Sequence, residues 1–318
     1  MSQQFPRSMV EFEDTFSTES DCRDYLFSVR WPDGWRCPSC DAKGGWRNRR
    51  GCVQCPRCGF QSSLTAGTVF HGTKKPLRLW FKAIFLMVTQ KNGVSAKAIQ
   101  HLLGVSYPTA WTWLHKLRRA MASRPHDLLS GVVEADETYW GGHREGEVGR
   151  RKGGGSKDLV VAVVEEDGAG MGRARLCPAP DHTGESLAGI LEERVEKGSA
   201  IRTDGLRSYA QVAGRGYAHA PEVIGRDASR AAKLFPRVHR VVSLFKRWLL
   251  GTHQGAPTSK HLGIYLEEFE FRFNRRNAKH RSLLFESLVK CGVGQAALPY
   301  WKIIQREKPS QPLYVAGT

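Results

Sequence analysis

The sequence lacks the features of membrane-spanning and secreted proteins. It has no apolar run of about 18 residues, the length at which a transmembrane helix becomes a candidate. Its first residues do not show the basic and then apolar pattern of a secretory signal. These absences exclude a protein anchored by apolar helices and predict a cytoplasmic location with no membrane partner.

Acidic residues are scarce relative to basic ones. The 318 residues include 48 Lys and Arg against 31 Asp and Glu, which gives a formal net charge of +17. A basic balance of this size favours a polyanionic partner, and nucleic acid is the commonest. Composition alone leaves open a merely basic protein, such as a ribosome-associated one. The length accommodates two or three domains.

Cysteine is nearly absent outside the N-terminal region, since six of the eight cysteines lie between Cys22 and Cys58. In a reducing compartment such clustering favours a metal site over disulfides. Two Cys-x-x-Cys pairs let four thiolates surround one Zn²⁺, whose binding supplies folding free energy to so short a segment. The predicted zinc ribbon spans residues 12–62, and its ligands are Cys37, Cys40, Cys55 and Cys58. Cys52 forms a competing pair with Cys55, so a ligand role for Cys52 stays open.

The next region has helical periodicity. An apolar stripe predicts a first helix, and Ser95 and Ser106 predict the caps of two more. The pattern over residues 74–124 predicts a helix-turn-helix DNA-binding domain. The predicted DNA contacts on its third helix are Tyr107, Thr109, Thr112, Lys116, Arg118 and Arg119. Gln100 stands where the motif usually has a small residue, so a three-helix bundle without DNA is the alternative.

An acidic segment, Glu134-Ala135-Asp136-Glu137, follows the apolar pair Val132-Val133 and alternates as a strand does. Acidic residues have poor strand propensity, so three of them in one short strand require an explanation. One explanation is a solvated edge strand. The other is a metal-binding carboxylate held on a rigid element, with Asp136 as the candidate.

Strand and helix patterns alternate through the following region. The apolar run 159–164 predicts a buried central strand, residues 172–177 predict its hairpin partner, and Thr183 caps a helix. Asp204 ends the next strand, where α/β sheets hold ligands, although an Asp-Gly pair is also a common turn. A glycine-rich loop before residue 158 favours phosphate contacts or a disordered insertion. Its predicted DNA contacts are Arg150, Arg151 and Lys152.

The segments around the two aspartates resemble the ribonuclease-H-like core of DDE transposases. The matching phrases are Glu-Ala-Asp136-Glu-Thr-Tyr, Thr-Asp204-Gly, Trp248-Leu-Leu-Gly-Thr-His253 and the segment from Tyr265 to Arg276. Together with the N-terminal cysteine pairs, they resemble the bacterial insertion-sequence transposases of the ISXO-like group. The resemblance implies an α/β fold with a ribonuclease-H-like mixed-sheet core over residues 128–282, preceded by the zinc ribbon and the helix-turn-helix domain.

The same resemblance implies an enzyme that binds transposon ends and then cleaves and transfers DNA strands. Asp136 and Asp204 would bind Mg²⁺ or Mn²⁺, because two such ions stabilise the attacking and leaving oxygens of phosphoryl transfer. The implied partners are double-stranded DNA, at the transposon ends and at the target, and further copies of the chain in a homo-oligomer.

The third metal-ligand position departs from the usual pattern. The family places a Glu about 35 residues after the second Asp and often a basic residue seven further on. This sequence has His239 in place of the Glu, and Lys246 at the basic position. A neutral imidazole ligates divalent ions, although Mg²⁺ accepts it less readily than Mn²⁺ does. Two interpretations follow: an active variant, or a decayed copy that binds DNA as a regulator. Glu267 and Glu268 are reserve carboxylates.

The C-terminal region has a predicted helix near residues 260–276 that closes the core. Its exposed end predicts a basic rim toward DNA, and the predicted contacts there are Arg275 and Arg276. The weak pattern beyond it, with Pro309 and Pro312, predicts a loose C-terminal tail over residues 283–318.

Overall fold

The computed structural model describes residues 6–48, 50–122, 127–141, 158–222, 233–254 and 257–304. These residues form two compact units. The first contains the described residues up to 121 together with 275–304, and the second contains those between 122 and 274. Within the described ranges, no helix combines the length and apolar character that a membrane crossing requires.

The first unit begins with helices α1 (Met9–Thr15) and α2 (Glu19–Arg30), which precede a small antiparallel sheet. Its strands are β1 (Trp46–Arg47), β2 (Cys52–Gln54) and β3 (Gln61–Ser63). The guanidinium of Arg30 donates hydrogen bonds to three main-chain carbonyls at the end of β3 and just after it, those of Ser63, Leu64 and Ala66. These hydrogen bonds therefore fix the last turn of α2 to the C-terminal end of β3.

Three helices follow at the predicted positions: α3 (Leu77–Thr89), α4 (Ala96–Leu103) and α5 (Tyr107–Ala120). The hydroxyls of Ser95 and Ser106 accept the capping hydrogen bonds that the sequence predicted, and Gly104 ends α4 with a φ of 62°. The predicted inward side chains of α5 are buried, namely Ala110, Trp113, Leu114 and Leu117. The helices are confirmed, while their role in DNA binding stays a prediction.

The predicted loose tail is wrong for residues 283–294, which form α9 (Leu283–Gly294) and belong to the first unit; α10 (Tyr300–Ile304) follows. The ring of Phe285 is fully buried, with centroids 5.8 Å from Phe12 and 5.6 Å from Phe16. At Gly292 an added Cβ would lie 2.8 Å from Val69 Cγ1, so glycine permits this close approach. The sequence pattern missed α9 because its packing partners lie more than 200 residues earlier in the chain.

Residues 275–282 also differ from the predicted boundary. The sequence assigned them to the core, whereas the structure groups them with the first unit. The preceding helix, α8 (Ser259–Phe273), ends at Phe273 rather than continuing to Arg276. The core thus ends with Asn274, whose side chain exchanges hydrogen bonds with the main chain of Ala174.

The second unit is built on a five-stranded sheet. Its strands are β4 (Val132–Trp140), β5 (Asp158–Asp167), β6 (Gly170–Ala179), β7 (Ala200–Asp204) and β8 (Ala218–Glu222). Their order is β6-β5-β4-β7-β8, with antiparallel pairing among the first three and parallel pairing of β4 with β7 and of β7 with β8. This mixed order confirms the predicted ribonuclease-H-like sheet. The apolar run 159–164 forms the buried part of β5, as expected for a strand covered on both faces.

Helices cover both faces of this sheet. One face packs against α6 (Gly184–Arg194), where Leu187 and Leu191 join Val133 and Ala135 of β4 in a buried cluster. The other face packs against α7 (Pro236–His253) and α8 (Ser259–Phe273) in a larger cluster. Because successive strand residues point to opposite faces, β4 sends its even-numbered side chains toward α7 and its odd-numbered ones toward α6.

Candidate active site and metal centre

Four cysteine thiols converge in the first unit. The hairpin of the ribbon brings its two Cys-x-x-Cys turns together, with Sγ–Sγ distances of 3.5 Å for Cys37–Cys58 and 3.6 Å for Cys40–Cys55. All four Sγ atoms lie within 4.8 Å of one another. A tetrahedral Zn²⁺ with Zn–S bonds of about 2.3 Å requires sulfur separations of this size. The thiol set therefore fits a structural zinc ion.

The thiols of this cluster differ in how readily they ionise. Burial opposes ionisation of Cys55, but main-chain N–H groups of Cys58 and Arg57 directed at its sulfur, together with the Cys40 and Cys37 thiols, lower its pKa to about 6. The Ala42 N–H acts in the same direction on Cys40, yet burial and the three neighbouring thiols raise the pKa of Cys40 to about 12. The Arg57 N–H lies 3.3 Å from Cys55 Sγ. Thiolates are the form that binds zinc, so this polar environment favours metal binding. Cys52 lies on β2 and is not a member of the four-thiol group.

Asp136 and Asp204 lie beside each other in the second unit. β4 and β7 are parallel neighbours, and Ala135 pairs with Thr203, so the next residue on each strand is an aspartate. Both side chains point to the face covered by α7, since Trp140 of the same alternating set belongs to the cluster on that face. Adjacent strands are about 4.8 Å apart. Two carboxylates on neighbouring rigid strands are therefore available on the same face of the sheet.

The third predicted residue joins them from α7. The Nε2 atom of His239 lies 3.6 Å from Oδ2 of Asp136, and the His239 side chain is 38% exposed. Burial lowers the pKa of His239, against the opposing effect of the Glu134 carboxylate. Imidazole is thereby favoured in its neutral form, the form that ligates metal ions. The structure thus brings His239, which the family spacing singled out, next to Asp136, while its role as a metal ligand stays a prediction.

Lys246 lies two turns after His239 on the same helix. Burial lowers the pKa of Lys246, and the charge of Asp136 opposes that shift. The ammonium group of Lys246 is therefore near enough to Asp136 to interact with its charge, while its role in the site stays a prediction. Such a group is suited to hold a phosphate oxygen near the metal ligands.

The donor atoms of Asp136, Asp204 and His239 are of the types that bind divalent ions. Carboxylate oxygens are the ligands that Mg²⁺ prefers, and a histidine nitrogen extends the set toward Mn²⁺. Among the described residues, only the four cysteines form a group of three or more donors close enough for a single ion. In the second unit, Asp136 follows the residue paired with the one before Asp204, and its Oδ2 lies 3.6 Å from His239 Nε2.

Sequence reasoning did not find a role for Glu134 or Arg237. Glu134 is fully buried and accepts hydrogen bonds from the main-chain N–H groups of Arg237 and Val238, each 2.9 Å long. The Arg237 side chain donates to the same carboxylate at 2.9 Å. The only sequence signal was the unexplained glutamate in the middle of β4, because its partners lie about 100 residues later.

Glu137 and Tyr209 form a second feature that the sequence did not indicate. Glu137 is directed to the face of α6, where burial raises its pKa and the Asp136 and Asp204 charges add to the shift. Burial likewise raises the pKa of Tyr209, with the Glu137 charge adding to it. A neutral phenol and a carboxyl group thus lie behind the aspartates, on the opposite face of the sheet.

Comparisons with known proteins agree with this arrangement. Residues 128–274 match the model of the ISXO2-like transposase domain, and residues 17–61 match that of the transposase zinc-ribbon domain. A protein described as uncharacterized, from the transposable element ISH50 of Halobacterium salinarum, is 31% identical over 214 residues, covering 61% of this chain and 70% of the relative.

The chain belongs to the ISXO2-like transposases. Solved structures give weaker similarities to this transposase. The catalytic core domain of BIV integrase aligns at 14% identity with a TM-score of 0.30, over 48% of the transposase and 86% of the integrase chain. The Mos1 strand transfer complex aligns at 12% identity with a TM-score of 0.20, over 67% and 78% of the two chains. The family assignment does not depend on either of them.

The predicted DNA contacts on α5 of the transposase differ in exposure. Tyr107 is 47% exposed, while the Thr112 hydroxyl donates to the carbonyl of Pro108. Lys116 is half-buried, and burial lowers its pKa. Arg118 does not fit its prediction, because its side chain is only 1% exposed and so does not present its charge at the surface. The helical period explains this error, since Arg118 follows Leu114 by four residues and shares its inward face.

The remaining predicted contacts divide into two groups. Arg119 and Arg276 are partly exposed and Arg275 is exposed, so all three stay candidates for DNA phosphates. Arg150, Arg151 and Lys152 lie outside the described residues. The reserve carboxylates do not replace His239 in this structure: Glu268 is fully buried in α8, whereas the helix that contacts Asp136 is α7.

Proposed function

We propose that this transposase cleaves and joins DNA strands with two divalent ions held by Asp136, Asp204 and His239. The observation that carries the proposal is the 3.6 Å approach of His239 Nε2 to Asp136 Oδ2, together with the neighbouring register of Asp204. Asp136 would serve both ions, and Asp204 and His239 would each hold one of them. The ions are Mg²⁺ or Mn²⁺, since the ligand set combines hard oxygens with one imidazole.

The ligands act through charge and position. When bound, the ions stabilise the attacking and leaving oxygens of an in-line displacement at phosphorus. Asp136 and Asp204 supply the negative charge that offsets the cations, on strands whose pairing fixes both carboxylates. Lys246 holds a phosphate oxygen of the DNA beside Asp136. A water molecule or a DNA 3′-hydroxyl is the nucleophile, so no protein side chain becomes covalently attached to DNA.

The first unit supplies DNA binding in this proposal. We assign α4 and α5 to a helix-turn-helix, with base contacts from Tyr107, Thr109 and Thr112 and phosphate contacts from Lys116 and Arg119. The support is the exposed position of Tyr107, the two correctly capped helices and the net charge of +17. One structural Zn²⁺ on the four cysteines holds the ribbon together. Assembly of further copies on double-stranded transposon ends completes the proposal.

The decisive experiment measures cleavage and binding of terminal-repeat DNA by wild type and by Asp136→Asn and Asp204→Asn. Each change removes one negative charge at nearly constant size, so cleavage is expected to fall by several orders of magnitude. DNA binding is expected to persist or tighten, because carboxylate–phosphate repulsion is relieved. His239→Ala should lose more activity in Mg²⁺ than Ser243→Ala, an exposed position on the same helix, and His239→Glu should retain or raise activity.

Two outcomes contradict parts of the proposal. If His239→Ala cleaves like wild type while both aspartate variants are inactive, the third ligand lies elsewhere, and Glu267 and Glu268 are tested next. If wild type binds the repeat but cuts it in neither Mg²⁺ nor Mn²⁺, the chain is a DNA-binding regulator derived from a transposase.

A further inference from the structure

Helix α7 begins without a cap of its own. Its N-cap residue is Phe235, which offers no side-chain acceptor, and Pro236 occupies the first turn. The first N–H groups of a helix have no partner within the helix and need an acceptor when they are buried. Here the acceptor comes from another element, since Oε2 of Glu134 on β4 receives the N–H groups of Arg237 and Val238.

The side chain of Arg237 extends this connection. It donates to Glu134 Oε1 at 2.9 Å and to Glu166 Oε1 at 3.1 Å. It also donates to the carbonyls of Gly168 and Gly170 at the β5–β6 turn, each at 2.8 Å. The first turn of α7 is thereby fixed to three strands at once, through one buried carboxylate and one guanidinium.

The spacing of these contacts connects them to the site. Glu134 precedes Asp136 by two residues on the same face of β4, and Arg237 precedes His239 by two residues at the start of α7. The hydrogen bonds from Glu134 to the start of α7 therefore lie two residues, about 7 Å along the strand, from the contact between Asp136 and His239. A shift of the helix start would move His239 directly, because few residues lie between the anchor and the ligand.

We propose that Glu134 is a positioning residue, which caps α7 from the neighbouring strand and thereby sets His239 against Asp136. The inference rests on the proposed function of that pair as metal ligands. Metal ligands must be held within about 0.5 Å of their productive geometry. Loss of a group that orients a ligand costs about 10- to 100-fold in metal affinity or activity.

Glu165 provides a matched control. It is also a buried glutamate of the same sheet, and it accepts from the N–H groups of Ser130 and Arg173 and from the Arg173 guanidinium. It differs in pairing with Val133, whose side chain packs toward α6, so Glu165 lies on the face of the sheet opposite α7. Glu134→Gln and Glu165→Gln thus remove equivalent buried charges, and only the first touches the helix that carries His239.

The test measures Mn²⁺ binding to the full-length protein without DNA, by electron paramagnetic resonance of free Mn²⁺, with Asp136→Asn defining background binding. Glu134→Gln is expected to weaken the Asp136-dependent binding about tenfold or more, and Glu165→Gln less than about twofold. Unchanged binding in Glu134→Gln, equal weakening in both variants, or no Asp136-dependent binding in wild type would overturn the inference. If Glu134→Gln does not fold, Arg237→Gln takes its place with the same expectation and the same overturning result.

A double-mutant cycle then tests whether Glu134 acts through His239. In the His239→Ala background, Glu134→Gln should weaken Mn²⁺ binding further by less than about twofold, because the ligand it positions is absent. Full additivity of the two effects would show that Glu134 does not act through His239. Cleavage of repeat DNA is measured in parallel, so a wild type that binds Mn²⁺ but does not cut refutes the proposed function while the binding data still decide the role of Glu134.

Discussion

The two candidate metal sites of this transposase are assembled in different ways. The four cysteines come from two short turns within one small hairpin, and they lie close enough for a single ion. Asp136, Asp204 and His239 come from two strands and a helix spread over about 100 residues, and they do not form such a compact group among the described residues. A local cluster depends on turn geometry, whereas a distributed one depends on the sheet and on what fixes α7 to it.

This difference predicts where each site is vulnerable. The cysteine cluster fails when a ligand is lost, because the metal supplies much of the folding free energy of such a segment. The distributed site also fails when a residue that never touches the ion loosens the helix. Three sets of substitutions in the first unit test this difference between the two sites, beginning with the one that has the largest expected effect.

Cys55→Ala/Cys58→Ala should abolish zinc binding and unfold the ribbon, because two of four thiolates cannot hold the ion. The measurement is zinc content of the purified protein, expected to fall from about one ion per chain to none. Cys52→Ala is the control and should retain the metal, since Cys52 lies outside the four-thiol group. Loss of zinc only in Cys52→Ala would overturn the ligand assignment.

Phe285→Ala tests whether the stability of the first unit, unlike its zinc site, depends on contacts between residues far apart in the chain. The ring is fully buried among Phe12, Phe16 and other aromatic rings, so its removal should lower the free energy of unfolding by about 3–5 kcal/mol. Denaturant unfolding followed by tryptophan fluorescence measures the change. Leu283→Ala, on the same helix but 38% exposed, should stay near the wild type. Equal stability of both variants would mean that α9 does not complete this unit.

Thr109→Ala and Thr112→Val should have the smallest effect, on discrimination rather than on total affinity. Lost base contacts cost about 1–3 kcal/mol each, whereas phosphate contacts act on all sequences alike. Competition binding of repeat and random DNA by the full chain, repeated at several salt concentrations, measures both quantities. Arg119→Gln is the contrasting variant, expected to weaken binding to both DNAs and to reduce the salt dependence. A wild type with equal affinity for both sequences would contradict the assignment of α5 to recognition.

Sequence reasoning succeeded where the signal was local or periodic. The cysteine spacing predicted the four-thiol cluster, Ser95 and Ser106 predicted two helix starts, and the apolar run of β5 predicted a central strand. The pair of aspartates and His239 required family spacing as well as pattern, and the structure brings Asp136 and His239 together.

The failures have two physical causes. The error at Arg118 was local, because the helical period already places it four residues after Leu114 on the inward side of α5, where it is buried. The other failures come from contacts between residues far apart in the chain. The role of Glu134 could not be recognised from the sequence, because its hydrogen-bond partners lie on α7, about 100 residues later. The helix around Phe285 was missed because its partners lie near the N-terminus. Periodicity over a short window contains none of this information.

The place of α9 has a consequence for synthesis on the ribosome. The first unit is interrupted by the whole second unit, since it resumes only at Arg275. At about 5–20 residues per second, translation of residues 122–274 delays its completion by on the order of ten seconds. During that interval the aromatic partners of Phe285 have no cover, and they become candidates for chaperone binding. A transcript broken within the core would therefore yield a chain whose first unit is also incomplete, because that chain lacks α9.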